Sequence, residues 1–234
     1  MNNMIDLNSV QYNIIRSKRK TIAIRITQEA AVEIRAPLRI SDSEIRSIIL
    51  GKKEWIENQM RARMQINERR RIFKLDYGVP ALLRGKEYYI RSREGNLYGF
   101  DGECFFMPAD LDGTQIKLTM IEIYKQMAKK ILTEKTMDFA GKANLFPSAV
   151  GITSAKTRWG SCSGKNSINF SWCLIMASDE VIDYVVLHEL AHIREHNHGR
   201  RFWKFVSALM PDYKQREEKL KKLQKVLAEQ NWEI

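Results

Sequence analysis

Nowhere in its 234 residues does the chain carry an apolar run of the length, about eighteen residues, that a membrane-spanning helix requires. The N-terminal MNNMIDLNSV lacks the basic-then-apolar layout of a secretory leader, so the expectation is a soluble, cytoplasmic protein with no membrane partner. Cysteine is scarce. Cys104, Cys162 and Cys173 are odd in number and show no C-x-x-C spacing, which argues against a disulfide framework and against a cysteine-type zinc site. Histidine is nearly as scarce, with four in the chain, yet His188, His192, His196 and His198 all fall within eleven consecutive residues.

Those histidines lie in VVLHELAHIREHNHGRRFW, residues 185–203, and His188-Glu189-Leu190-Ala191-His192 is the H-E-x-x-H pattern of a zinc-protease helix. On a helix, residues four apart sit ~40° around the axis and ~6 Å along it, so both imidazoles can face one ion. Glu189 stands beside them, suited to a water at that ion. A catalytic zinc site uses about three protein ligands and keeps one position for water, so a third ligand is required. A continuous helix would carry His198 ~15 Å from His188, out of range. The chain must therefore turn, and Asn197 and Gly199 tolerate left-handed backbone, which places a helix end near His196 or Asn197 and swings His198 back. His196, without a turn residue before it, reads as a rim residue. The bland alternative, chance histidines on an amphipathic helix, is opposed by the apolar approach through Val181, Ile182, Val185, Val186 and Leu187 and by the third histidine.

With 44% hydrophobic residues the chain can bury one large core or two small ones. Its net charge of +11 is uneven: residues 1–100 hold 20 Lys and Arg against 11 Asp and Glu, the remainder 19 against 17. A basic face of this kind attracts nucleic acid or an acidic polypeptide, though it also serves as plain solvated surface.

Residues 12–37 read as a β-hairpin, with Ile22, Ile24 and Ile26 and then Val32, Ile34 and Ala36 alternating with polar or small residues. Ser41-Asp42-Ser43-Glu44 has capping-box spacing and opens a helix predicted from Asp42 into the basic Arg61–Arg71 run. That run complements a helix C-terminus as readily as it contacts nucleic acid. Residues 77–107 form a glycine-punctuated β-rich unit with a hairpin at Asp101-Gly102. The linker-like PADLDG places a domain boundary near Gly113, dividing a basic N-terminal region, 1–112, from a metal-helix core, 113–234.

Gln115–Lys142 has helical period. Ile168, Phe170, Trp172, Leu174 and Met176 alternate as one half-buried strand, and Ser178 then stands as N-cap of the histidine helix, with Asp179 and Glu180 in its first turn. Arg200–Asn231 reads as two helices broken at Pro211, the second packing across the histidine helix. The expected class is α+β: a zincin-like core, an antiparallel sheet packed on the H-E-x-x-H helix, preceded by the basic β-rich region. An exposed edge strand beside such a cleft binds an extended polypeptide by strand addition.

The segments RSKRKTIAIRI, VEIRAPLRIS, KKEWI, TRWGSCS, INFSWCLIMAS, VIDYVVLHELAHIREHNHGRRFW and MPDYK together resemble the YgjP-like metal-dependent hydrolases, relatives of the SprT-like and WLM zinc peptidases. The resemblance runs from about Arg16 to Lys214 and implies Zn²⁺ on His188, His192 and His198, with Glu189 as the catalytic glutamate. The histidine spacing equals that of metzincins, but Glu195 occupies their glycine position and no Met-turn follows. Some SprT-like and WLM relatives act on proteins attached to DNA, and by analogy the basic N-terminal half would direct this chain to nucleic acid. A zinc-stabilised binding protein without hydrolysis is the alternative that the intact Glu189 argues against. Tyr213 and Arg158 are candidate oxyanion donors. Trp159, Phe202 and Trp203 read as core, and Cys162 as a structural thiol.

Overall fold

The alternating isoleucines near the N-terminus pair as predicted, and what they pair with was not visible in them. In the computed structural model, which describes the backbone of residues 4–7 and 10–233 and side-chain surroundings from residue 12, β1 (Met4–Leu7), β2 (Val10–Ser17), β3 (Ala23–Ile26) and β4 (Val32–Pro37) form one sheet in the order β1-β2-β4-β3. Residues 1–3, 8 and 9 of the stretch read for a leader lie outside the described residues. β3 and β4 are the expected hairpin, with Ile24 opposite Ile34, while β2 joins β4 in parallel. Tyr12, Val32, Ile34 and Ala36 bury one face against Ile45 and Ile49 of α1 (Asp42–Gly51) and Ile56 of α2 (Lys53–Ile72).

The Ser41/Glu44 capping box is present. The single helix expected from Asp42 is two, because Lys52 after Gly51 takes φ −113°, ψ 9° and interrupts it. Of α2 only Ile56 is buried; its last turn carries Arg69, Arg70 and Arg71, with Arg71 paired to Glu68 and Arg69 to Glu229. Residues 1–73, joined by 228–231, make the first compact unit.

The second unit comprises residues 74–227 and 232–234, so the division falls after Phe73 and not near Gly113. The cause is packing. β5 (Pro80–Leu83), β6 (Lys86–Arg93), β7 (Gly99–Phe100) and β8 (Phe105–Pro108) form a sheet in the order β5-β6-β8-β7, and the turn predicted at Asp101-Gly102 joins β7 to β8. α3 (Gly113–Ala143), capped by Asp112 and Gln115, lies against it: the Tyr124 hydroxyl donates to the Leu82 carbonyl at 2.8 Å and its ring meets Phe105 edge-on. The linker-like residues before Gly113 therefore connect two parts of one core.

β9 (Ala149–Thr153), β10 (Gly160–Cys162) and β11 (Ser167–Ser171) form a sheet in the order β10-β11-β9. It is mixed, not the antiparallel sheet expected, since β11 pairs antiparallel with β10 but parallel with β9. The strand predicted through Met176 stops at Ser171, and Trp172–Met176 is a 3-10 turn. Trp172, Leu174, Ile175 and Met176 are all buried, and a two-residue alternation cannot bury adjacent side chains on one face. Then follow α4 (Asp179–Arg194), α5 (Arg200–Leu209) and α6 (Tyr213–Ala228), the last two separated at Pro211 as expected. The Arg216 guanidinium on α6 donates to the Glu180 carbonyl of α4 at 3.0 Å. The fold is mixed α+β, and among the described residues no helix is long and apolar enough to cross a membrane.

Candidate metal centre

α4 is held in place before any site residue is reached. At its start, Ser178 is extended (φ −63°, ψ 155°) as an N-cap should be, but its side chain makes no capping bond. Other groups secure that end. Arg84 makes a two-pronged pair with Asp179 at 2.9 and 2.6 Å, and Lys135 reaches Asp183 at 2.6 Å. The Arg84-Gly85 turn between β5 and β6, with φ 48° and 75°, donates its two amides to the carbonyls of Ile175 and Met176. A Cβ at Gly85 would lie 2.9 Å from the Ser178 Cβ, so a side chain is excluded where this turn touches the helix start. Val181, Ile182, Val185, Val186 and Leu187 then bury the helix, as their period predicted.

His188 and His192 lie one turn apart on α4. The helix ends at Arg194 with Glu195 extended (φ −127°, ψ 96°), slightly earlier than expected. No left-handed residue makes the turn. Asn197 is not among the positive-φ residues, and Gly199, at φ −76° and ψ −177°, is the N-cap of α5. His198 nevertheless comes back beside the helix. The ligand atoms of His188, His192 and His198 lie within 4.8 Å of one another, with the Nε2 atoms of His188 and His198 2.9 Å apart. His196 is exposed and outside this group.

The surroundings favour the neutral form of His188 and His192. Burial, followed by the neighbouring His192 and His198, pushes His188 down to about 3, and burial lowers His192 as well. The His192 Nδ1 stands 3.1 Å from the Glu195 carbonyl; placing the proton there leaves the Nε2 lone pair directed into the cluster. The buried Nδ1 of His188 meets no protein acceptor, so packing orients that ring: Tyr184 at 5.8 Å, Phe202 at 5.0 Å and Trp203 at 6.0 Å between centroids.

Sequence reasoning missed this aromatic wall. Phe202 on α5 is fully buried, as a core residue should be, but its ring lies 4.7 to 5.0 Å from all three histidine rings. Trp203 stacks on His198 at 5.8 Å and Tyr213 stacks on Trp203 at 5.2 Å. The available signal was position: an aromatic pair beginning four residues after His198, on a helix that has to fold back, faces the three histidines.

Glu189, one residue past His188, is 6% exposed. Burial raises its carboxyl to about 7, and the charge of Arg158 opposes that rise. β10 packs on α4 at this point, and a Cβ on Gly160 would come 2.6 Å from the Glu189 Cγ and Oε1. Glycine is what lets the sheet edge and the carboxylate approach. Cys162 follows on the same strand, its thiol raised by burial, with its Sγ donating to the Ser163 carbonyl at 3.6 Å. Trp159 is half-buried and, with Arg158, lines a cavity beside Glu189 and does not belong to the core.

The family model of the YgjP-like metallopeptidase domain matches residues 20–223. The chain belongs to the YgjP-like metallopeptidase family. A metal-dependent peptidase is what that family assignment gives, and the three-histidine cluster of this YgjP-like chain can bind a metal. Among solved structures the chain is similar to the metallopeptidase zymogen of Pyrococcus abyssi abylysin, with 20% identity, 43% of this chain and 98% of that chain covered, and a TM-score of 0.37. It is also similar to the metallopeptidase zymogen of Methanocaldococcus jannaschii jannalysin, with 24% identity, 41% and 96% covered, and a TM-score of 0.35. No curated protein matches the chain.

Proposed function

We propose that this YgjP-like chain is a zinc-dependent peptidase in which His188, His192 and His198 hold one Zn²⁺ and Glu189 is the general base. The observation that carries this is the convergence of three imidazole nitrogens within 4.8 Å, joined by no fourth metal-binding side chain among the described residues. The donor set fits zinc. Neutral imidazoles are good zinc ligands, and a position without a protein ligand marks a catalytic site more than a structural one. Two facing Nε2 atoms 2.9 Å apart need either a proton or a shared cation between them, and a third nitrogen at the same place favours the cation.

When bound, the ion supplies Lewis acidity, polarising the scissile carbonyl and acidifying a water. Glu189 accepts the proton from that water and delivers it to the leaving amine nitrogen. Its burial keeps bulk water from its carboxylate, and Gly160 sets how close the sheet edge comes. β10 is a terminal strand of its sheet, and an extended polypeptide substrate laid along it would reach Glu189. On this reading the second unit is a zincin-type core and a zinc-stabilised, non-catalytic role is disfavoured, because such a role gives no reason to bury a carboxylate beside the ligands.

The Glu189→Gln variant tests the assignment. It keeps the side-chain shape and should retain zinc while losing turnover by about 10²–10⁴-fold. Retained turnover in the zinc-loaded variant would remove Glu189 from the mechanism. The first unit supports a second reading in which nucleic acid directs the peptidase, since residues 1–73 hold fifteen Lys and Arg against eight Asp and Glu. That reading requires DNA binding that weakens steeply with salt, and absence of binding at modest salt would end it.

A further inference from the structure

The cavity beside Glu189 has a volume of about 300 Å³, at the small end for ligand sites and suited to one or two residues of a peptide. Trp159, Tyr184, Val185 and Leu220 give it apolar walls, and three charged side chains besides Glu189 reach it: Arg158, Glu217 and Lys221. Glu217 and Lys221, one turn apart on α6, pair with each other at 2.8 Å and so largely cancel. Arg158 is exposed and makes no hydrogen bond or ion pair among the described residues, although it lies within electrostatic reach of Glu189. The cavity thus presents one uncommitted guanidinium above apolar walls.

Direction follows from the chemistry and rests on the peptidase reading above. Glu189 protonates the leaving amine, so the residue that owns that amine stands on the Glu189 side, facing this cavity. We propose that the cavity receives the first one or two residues after the scissile bond, and that Arg158 pairs there with a substrate carboxylate, either an acidic side chain or the chain terminus. A planar guanidinium engages a carboxylate through two parallel N–H donors, which favours a carboxylate over its amide. Arg158 is in this account a specificity residue and not the oxyanion donor.

The test uses the zinc-loaded full chain and three peptides that mimic the leaving product: Glu-Ala amide, Gln-Ala with a free carboxyl group, and Gln-Ala amide. Each is titrated calorimetrically into wild type, Arg158→Ala and Arg158→Lys, without any need for turnover. One carboxylate peptide should bind wild type about tenfold more tightly than the neutral one; the preference should vanish in Arg158→Ala, return in part in Arg158→Lys, and shrink with salt. Whichever peptide shows the preference identifies the source of the carboxylate. Equal binding of all three to wild type, a preference that survives Arg158→Ala, or no binding at millimolar peptide would each overturn the proposal. Kinetics separate the roles of Arg158: the Arg158→Ala variant should raise KM for carboxylate substrates about tenfold more than for neutral ones, whereas an equal fall in kcat on both would overturn the specificity role. A preference seen in a protein that cleaves nothing would sink the peptidase reading and keep the pocket, and an active peptidase without the preference would do the reverse.

Discussion

A single added methyl group on Gly160 should separate the geometry of the base from the binding of the metal. The Cβ of a Gly160→Ala variant would start 2.6 Å from the Glu189 Cγ and Oε1 and 2.8 Å from its Cδ. Restoring an ordinary contact of 3.4 Å moves the carboxyl group by about 0.8 Å. The clash reaches Cγ as well as the carboxyl group, so the buried Glu189 side chain has to swing as a whole, and the stability cost should fall within the ~1–3 kcal/mol range for overpacking. The three atoms nearest the added methyl group all belong to Glu189, so zinc binding by the histidines should be retained. A displacement of about 1 Å at a reacting group costs on the order of 10²-fold in rate. Zinc content, melting temperature and turnover of any peptide that wild type cleaves are measured side by side. The expected result is full zinc, a melt within a few degrees of wild type and turnover down about 100-fold. Unimpaired turnover would refute the reasoning, because the carboxylate would then not need the position that Gly160 permits.

Removing the aromatic wall should act on both stability and metal. Phe202→Ala deletes a fully buried ring in contact with all three histidines, and should cost about 3–5 kcal/mol, lower the melting temperature by on the order of 10 °C and weaken zinc retention; an unchanged melt counts against the packing described. Alkaline pH should expose the Cys173 thiol, which burial pushes up to about 11 from 9.0. Because the unfolded chain gives up that proton first, the contribution is intact below about pH 9 and is lost as pH rises through 11, by roughly 2 kcal/mol. Urea unfolding of wild type and Cys173→Ala from pH 8 to 11 should show the shallower decline in the variant, and parallel declines would contradict it.

The proximity of the three histidines was legible because one helical turn joins His188 to His192, and a chain that turns after the helix can bring His198 back beside them. How it returns was not legible. The turn residues Asn197 and Gly199 suggested left-handed backbone, whereas Glu195 ends the helix in an extended conformation and Gly199 starts the next one. Elements with strict period, such as α3, came out near their predicted bounds, since a stripe over many residues reports one buried face. The run after Ser171 failed for the opposite reason. Its hydrophobic residues fit an alternating strand, but they are buried on all sides, a state in which period carries no information. Long-range pairing was the other gap. Nothing local in Val10–Ser17 announces a parallel partner in β4, nor does PADLDG show that the sheet before it packs on the helix after it. Tyr124, whose hydroxyl and ring make that connection, looked like any other apolar residue of a helical stripe.

The most direct test of the central claim is the zinc content of purified wild type beside His198→Ala, by elemental analysis after zinc is supplied. The three-histidine site predicts one zinc per wild-type chain and sharply weakened retention in the variant. Full retention in His198→Ala, or no zinc in wild type, would contradict it.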